Sequence, residues 1–301
     1  MATAYTKYPP FLGSELDPPA PEAARFHILP VPFEGTVSYG SGTAAGPAAV
    51  LAASQQLELF DGTDNPSVHG ILTLDPVDCT GDAETIIRRI RDRVMPIAER
   101  GKIPVLIGGE HSVTAGALDA LKQVHGRFGV VQIDAHADLR DTYDGTPHSH
   151  ACVMRRAFDM GLPLFQAGVR SLSPEEVVFR ADQRIAHLDA PEIAMNGIPD
   201  PLLPDAFPLQ IYLTVDVDGM DPSIMPATGT PEPGGLNWYQ TLAVIARSLS
   251  GRQLIGMDAV ELAPIPGIHF PEFTVARLLY QMMGMAGRNA QRCVDTAESA
   301  E

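Results

Sequence analysis

Cysteine is scarce: the 301-residue chain has three, Cys79, Cys152 and Cys293, widely spaced and odd in number. They form no disulfide framework and no thiolate metal motif, which makes a reducing cytoplasm the default compartment. No uncharged apolar run approaches the roughly 18 residues of a membrane span, and the N-terminus lacks the basic-then-apolar order of a secretory signal. A membrane partner is therefore not expected. Basic residues are also few, 21 Lys and Arg against 37 Asp and Glu, for a formal charge of −16. A phosphate backbone needs a basic face, so the balance argues against a nucleic-acid partner. The glycine-rich Tyr39-Gly40-Ser41-Gly42-Thr43 is not followed by a phosphate-loop lysine and does not match a dinucleotide fingerprint. The acidic excess has two readings: solubility or a salty cytoplasm, and attraction of a cationic substrate. Net charge alone does not separate them.

What the chain does have is a series of short apolar runs separated by helical patterns. Phe26–Val31, Gly70–Leu74, Ile103–Ile107, Phe128–Ile133, Leu164–Val169, Arg184–Leu188, Gln210–Val215 and Gln253–Met257 read as about eight strands. Between them, residues 83–99 carry Ile86, Ile87, Ile90, Val94 and Ile97 on one helical face. Apolar strands alternating with helices predict a parallel sheet covered on both sides, an α/β domain. Residues 1–25 are rich in proline and alanine and read as an extended arm; 26–288 read as one domain and 289–301 as a tail. In such sheets functional side chains gather beyond the carboxyl ends of the strands.

Four predicted strand ends carry chemistry. Gly108-Gly109-Glu110-His111-Ser112 follows one, Asp134-Ala135-His136-Ala137-Asp138 a second, Asp216-Val217-Asp218 a third and Met257-Asp258-Ala259-Val260-Glu261 a fourth. If strand conformation persists, Asp134, His136 and Asp138 project to one side, and so do Asp216 and Asp218. A lone histidine at a helix start is commonly a packing residue, and a lone acid after a strand is commonly solvated. Several on one face are different, because buried aspartates are costly unless something compensates them. An oxygen-rich set exceeds what a single zinc uses and suits two adjacent divalent ions such as Mn²⁺. Such pairs activate water for hydrolysis.

GGEHS, DAHAD, the Asp216 to Asp218 pair followed by Met220-Asp221-Pro222, and Ala227-Thr228-Gly229-Thr230-Pro231 resemble the arginase/agmatinase (ureohydrolase) family, in order from about Phe26 to Ala286. The resemblance implies a three-layer α/β/α fold on an eight-stranded parallel sheet. It implies one ion held by His111, Asp134, Asp138 and Asp216, and another by His136, Asp134, Asp216 and Asp218. The ions would be two Mn²⁺, with Ni²⁺ or another divalent ion as alternatives. The implied reaction is attack of a water-derived nucleophile on a guanidinium carbon, giving urea and an amine. Glu261 would pair with the guanidinium, Thr230 would line the same pocket, and His150 would shuttle a proton or protonate the leaving group. A side chain with a pKa of about 6.5 suits that task. His148 lies two residues earlier, but His150 is the one followed by a small residue, Ala151. Glu110 is given a supporting role beside the ligands. Relatives of this kind are commonly homo-oligomers, trimers or hexamers.

Arg140 stands where arginases carry the asparagine that reads an amino acid. The stretch from Asp138-Leu139-Arg140-Asp141 through Ser149-His150-Ala151-Cys152 looks like that of short agmatinases. Asp141 and Asp144 are then expected to meet a distal amine. Agmatine, a small guanidino dication, is the expected substrate. Guanidinobutyrate, guanidinopropionate, guanidine or arginine are the alternatives within the class. A catalytically inactive metal-binding homologue on the same fold could dispense with Glu261 or His150, and both are present.

Overall fold

The sheet is built from eight strands, all parallel, in the order β2-β1-β3-β8-β7-β4-β5-β6. The computed structural model describes residues 8–298, and from 291 onward the backbone alone. The strands are β1 (Phe26–Val31), β2 (Ile71–Thr73), β3 (Ile103–Gly108), β4 (Gly129–Ile133), β5 (Leu164–Ala167), β6 (Ala186–Leu188), β7 (Gln210–Asp216) and β8 (Gln253–Val260). Each falls on one of the eight apolar runs, with ends that differ by a few residues. The helices are α1 (Gly46–Ser54), α2 (Ala83–Glu99), α3 (Thr114–His125), α4 (Val153–Asp159), α5 (Pro174–Asp182), α6 (Ala190–Asn196), α7 (Trp238–Leu249) and α8 (Phe270–Glu298).

Alternation along each strand splits the core into two layers. Phe26 and Ile28 of β1, Val105 and Ile107 of β3, and Ile211, Leu213 and Val215 of β7 pack with residues of α1, α7 and α8. Leu29 and Val31, Leu106 and Tyr212 point the other way, onto α2, α3 and α4. The result is a three-layer α/β/α architecture. Helix α2 shows why the covering holds. Asp82 caps its start by accepting from the Thr85 N–H at 2.9 Å, and Ile86, Ile90, Val94 and Ile97 are buried along one face. Each such side chain contributes about 1.5–3 kcal/mol on burial, against about 0.3–0.5 kcal/mol for an exposed helix pair such as Glu84–Arg88. The apolar face therefore decides where the helix lies.

The described part of the arm is docked. Phe11 and Leu12 are buried; the Phe11 N–H donates to Thr73 Oγ1 at 2.9 Å and the Leu12 N–H to Ser54 Oγ at 3.1 Å. Residues 1–7 of the expected arm and 299–301 of the expected tail lie outside the described residues, and α8 runs across position 288 without a break.

Strands β1 to β3 and β4 to β6 form two flanks, and β7 and β8 enter last, between them. The four strands whose ends carry the motifs, β3, β8, β7 and β4, are thus neighbours at the centre of the sheet. Their carboxyl ends open at the point where the chain order reverses, where ligands of such sheets are commonly bound.

Candidate active site

His111 opens a short 3-10 turn after β3, and its place depends on Gly109. A Cβ on Gly109 would lie 1.9 Å from the Phe33 carbonyl oxygen, so only glycine lets the two strand exits cross. The His111 backbone N–H donates to Glu261 Oε1 at 2.6 Å. Its ring is fixed from behind: Nε2 lies 2.8 Å from Thr214 Oγ1, whose own proton goes to Asp258 Oδ1 at 2.6 Å. Thr214 therefore accepts from Nε2–H, which leaves the Nδ1 lone pair facing forward. That buried nitrogen has no hydrogen-bond partner, yet Asp138 Oδ2, Asp134 Oδ2 and Asp216 Oδ2 lie 3.0, 3.2 and 3.4 Å away. A ring nitrogen that faces three buried carboxylate oxygens is a place for a cation, either a proton on Nδ1 or a metal ion in its stead.

A second group adjoins the first. His136 Nδ1 lies 3.0 Å from Asp218 Oδ2 and 3.6 Å from Asp134 Oδ1. Asp134 therefore turns one oxygen to each histidine, the geometry of a bridging carboxylate. His111, Asp134 and Asp216 could hold one ion, and Asp134, His136 and Asp218 another. Asp216 turns Oδ2 to His111, and its Oδ1 accepts the Asp218 N–H at 2.9 Å, as Asp134 Oδ1 accepts the His136 N–H at 2.6 Å.

The charges behave accordingly. Burial opposes a charged His111 ring, yet Asp134, Asp138 and Asp216 hold its pKa well above the usual value. For His136, burial again opposes, and Asp134 and Asp218 push it up to about 12. Burial and the Asp134 charge raise Asp138 to about 7, and burial with neighbouring carboxylates drives Asp216 well above the usual range. Carboxylates outnumber imidazoles here, so a set of donors this acidic suits divalent cations.

The local backbone differs from the expected strand continuation. β4 ends at Ile133, and Asp138 sits in the left-handed region at φ 53°. Asp138 reaches the cluster because the chain turns: its carbonyl accepts from the Met154 and Arg155 N–H groups, both at 3.0 Å. β7 likewise ends at Asp216, and residues 217–219 form a 3-10 turn capped by the Asp216 side chain. Turns, not period-two alternation, bring these carboxylates together.

Glu261, Thr230 and His150 line one inner cavity with His136, Asp138, Asp216 and Asp218. An outer cavity of about 260 Å³ adjoins it, lined among others by Arg140, Tyr143, Glu176 and again His150 and Thr230. Glu261 is buried at φ 65°, and burial raises its pKa well above the usual range. A non-glycine residue in that conformation at a cavity floor marks a place where the fold overrides backbone preference. Thr230 Oγ1 lies 3.3 Å from Asp218 Oδ2. His148 does not line either cavity.

Three comparisons bear on this site. A sequence model described as the arginase family matches residues 24–284. The chain belongs to the arginase family. Its sequence is 40% identical over 294 residues to the N(1)-aminopropylagmatine ureohydrolase of a Synechocystis species, covering 94% of this chain and 95% of that one. It is 32% identical to an agmatinase of Pyrococcus horikoshii, over 88% and 93% of the two chains. The crystal structure of the agmatine ureohydrolase of Thermoplasma volcanium superposes with a TM-score of 0.85 at 29% identity, covering 95% of this chain and 97% of that one. The arginase-family fold and the agmatinase-type ureohydrolase class, a hydrolase of guanidino compounds, are thereby established.

Within this arginase-family frame, the loop after Asp138 departs from expectation. Asp141 is taken by Arg156 at 2.6 Å and by Arg155 at 3.7 Å, and neither Asp141 nor Asp144 lines the inner or the outer cavity. Those two acids are corrected as candidates for a distal amine. Glu176 faces the outer cavity instead, while its two oxygens accept the Leu139 and Ser173 N–H groups, each at 2.9 Å. Other supports had passed as parts of apolar runs. Gln132 donates to Asp134 Oδ2 at 2.6 Å, and Gln166 donates to Gln132 Oε1 at 2.6 Å and to the Ala137 carbonyl at 2.7 Å. Arg170 ties the Asp218 carbonyl at 2.7 Å to the Glu232 carbonyl at 2.8 Å. The signal was there: a polar side chain inside a buried strand must have a partner.

Proposed function

We propose that the protein hydrolyses the guanidino end of a linear polyamine-like cation, releasing urea and the corresponding amine. We place N(1)-aminopropylagmatine first and agmatine second. The observation that carries the reading is His111 Nδ1 facing three carboxylates beside a cavity that Glu261, Thr230 and His150 share. Support for the longer substrate comes from the relative at 40% identity, whose name gives the aminopropyl compound, against 32% for one named agmatinase. Guanidinobutyrate, guanidinopropionate, guanidine and arginine rank lower.

In this proposal His111, Asp134, Asp138 and Asp216 would hold one Mn²⁺, and His136, Asp134, Asp216 and Asp218 the other. Bound divalent ions supply the Lewis-acid charge that makes water a nucleophile at neutral pH. The chain's own residues do the rest. Glu261 offers carboxylate oxygens to the two parallel N–H donors of a guanidinium, which orients the carbon above the cluster. One of those oxygens already accepts the His111 N–H, which fixes the carboxylate in place. Thr230 borders the same space, and His150 gives a proton to the leaving nitrogen as the C–N bond breaks and its electron pair goes to nitrogen. Glu176, in the outer cavity, meets an amine of the substrate tail. A homo-oligomer, trimer or hexamer, is part of the same proposal.

The test is urea release by purified protein loaded with Mn²⁺ or Ni²⁺, across the six compounds named. The expected order of kcat/KM puts N(1)-aminopropylagmatine first, then agmatine. Preference for arginine would overturn the polyamine reading, and no urea from any of them would overturn the activity.

A further inference from the structure

Glu110 is a fully buried carboxylate that touches no member of the metal cluster through its side chain, and it is saturated with donors. Its Oε2 accepts the Gly35 and Thr36 N–H groups, both at 2.6 Å, and its Oε1 accepts the Thr36 hydroxyl at 2.7 Å and the Ser112 hydroxyl at 2.5 Å. Burying a charge this way is tolerated because every contact is a hydrogen bond to the ionised form. Holding the loop after β1 needs only the two backbone donors. The Thr36 hydroxyl is the contact that reaches His150.

Thr36 Oγ1 accepts the His150 backbone N–H at 3.0 Å and lies 3.3 Å from His150 Nδ1. A hydroxyl has one proton, and here Glu110 takes it. Toward the ring, Thr36 can only accept. Ser149 Oγ, also 3.3 Å from Nδ1, accepts the Ala151 N–H at 3.4 Å and can meet the ring as acceptor or as donor. Thr36 therefore favours the neutral ring with its proton on Nδ1, which leaves the Nε2 lone pair on a residue that lines both cavities. The ring's remaining edge contact is Tyr143, at 5.8 Å and 77°.

We propose that Thr36 and Glu110 are positioning residues for His150: Glu110 polarises Thr36, and Thr36 holds the imidazole as its Nδ1–H tautomer with Nε2 free to carry a proton to the leaving amine. This rests on the proposed role of His150 in the reaction, although the tautomer itself does not. The proton cycle balances. Nε2 takes a proton from solvent and gives it to the departing nitrogen, while the Nδ1 proton stays on the bond to Thr36 throughout. Burial pulls the His150 pKa down, and the Glu110 charge is the leading opposing influence.

The variants are Thr36→Val, which keeps the shape and removes the hydroxyl, and Thr36→Ser, which restores it. Thr36→Val is expected to lose about tenfold to a hundredfold in kcat, with KM and the content of bound Mn²⁺ unchanged, and Thr36→Ser to recover most of it. In Zn²⁺-loaded protein carrying ¹⁵N-labelled histidine, His150 is expected to show a proton-bearing Nδ1 that loses this preference in Thr36→Val. Wild-type kinetics in Thr36→Val, a change confined to KM, or an Nε2–H tautomer in the wild type would overturn the proposal. If the wild type releases no urea from any guanidino compound, the functional reading fails, and the labelled ring still decides the role of Thr36.

Discussion

Thr214 and Asp258 never touch the point where the carboxylates converge, yet they decide which nitrogen His111 presents to it. Asp258 is fully buried and also accepts from Thr114 Oγ1 and Tyr212 OH, each at 2.7 Å, so it is locked as an acceptor. Thr214→Val removes the relay at nearly constant volume. Partners of metal-bound histidines typically contribute about tenfold to a hundredfold in affinity. Competition with a chromophoric chelator is expected to show one divalent ion bound that much more weakly, and unchanged affinity for both would contradict the orienting role. Glu261→Gln isolates a different function. The amide oxygen still accepts the His111 N–H, so both ions are expected to stay while urea release collapses. Retained turnover, measured alongside metal content, would remove Glu261 as the guanidinium anchor.

Among the elements, the strand exits hold the most constrained geometry. Gly109→Ala drives a Cβ into the Phe33 carbonyl, and Gly109 also joins two exits, its N–H donating to Val31 and its carbonyl accepting from Glu261. The clash involves backbone on both sides, so relief requires β1 and β3 to part. Denaturant unfolding is expected to show a loss at or above the about 1–3 kcal/mol typical of overpacking, together with weaker metal binding. A loss under about 0.5 kcal/mol would show the crossing to be soft. The same elements explain what was legible beforehand. The strands are mostly buried and largely apolar, so all eight could be read from pattern, and the motifs at their ends followed. Asp138 and Asp218 could be read as cluster members but not for the right reason, because their turns are set by contacts with Met154, Arg155 and Asp216 that are distant in sequence or local to the cap. Gln132, Gln166 and Thr214 were hidden in plain strands, since pattern shows that a residue is buried but not what it meets. Asp141 was misread because the Arg156 opposite it lies 15 residues away, on α4.

At the scale of the whole molecule the question is how an acidic protein meets its substrate. In the cluster, imidazoles held protonated by their carboxylate neighbours must lose those protons to take a metal, and below about 7 Asp138 must lose one too. Affinity for Mn²⁺ is therefore expected to rise with pH, more steeply below that value, with protons released to the buffer. Titration calorimetry in buffers of different ionisation enthalpy would show it, and a buffer-independent enthalpy would refute it. The remaining charge, −16 over the chain, acts at longer range. If it draws the substrate in, agmatine and its aminopropyl derivative should gain from the field and zwitterionic guanidinobutyrate should not. Raising salt from about 0.02 M to about 0.3 M shortens the screening length to well under 10 Å. For the cations, kcat/KM is expected to fall severalfold over that range, while the zwitterion's stays level. Arg140 sharpens the test, because it sits in the outer cavity, stacked over Tyr143 at 5.2 Å and 3.9 Å from Glu176, where it opposes a cation locally. A field that attracts at a distance and resists at the mouth should appear in the salt dependence of kcat/KM and leave kcat nearly unmoved. Equal slopes for cation and zwitterion would mean that the acidic surface serves solubility alone.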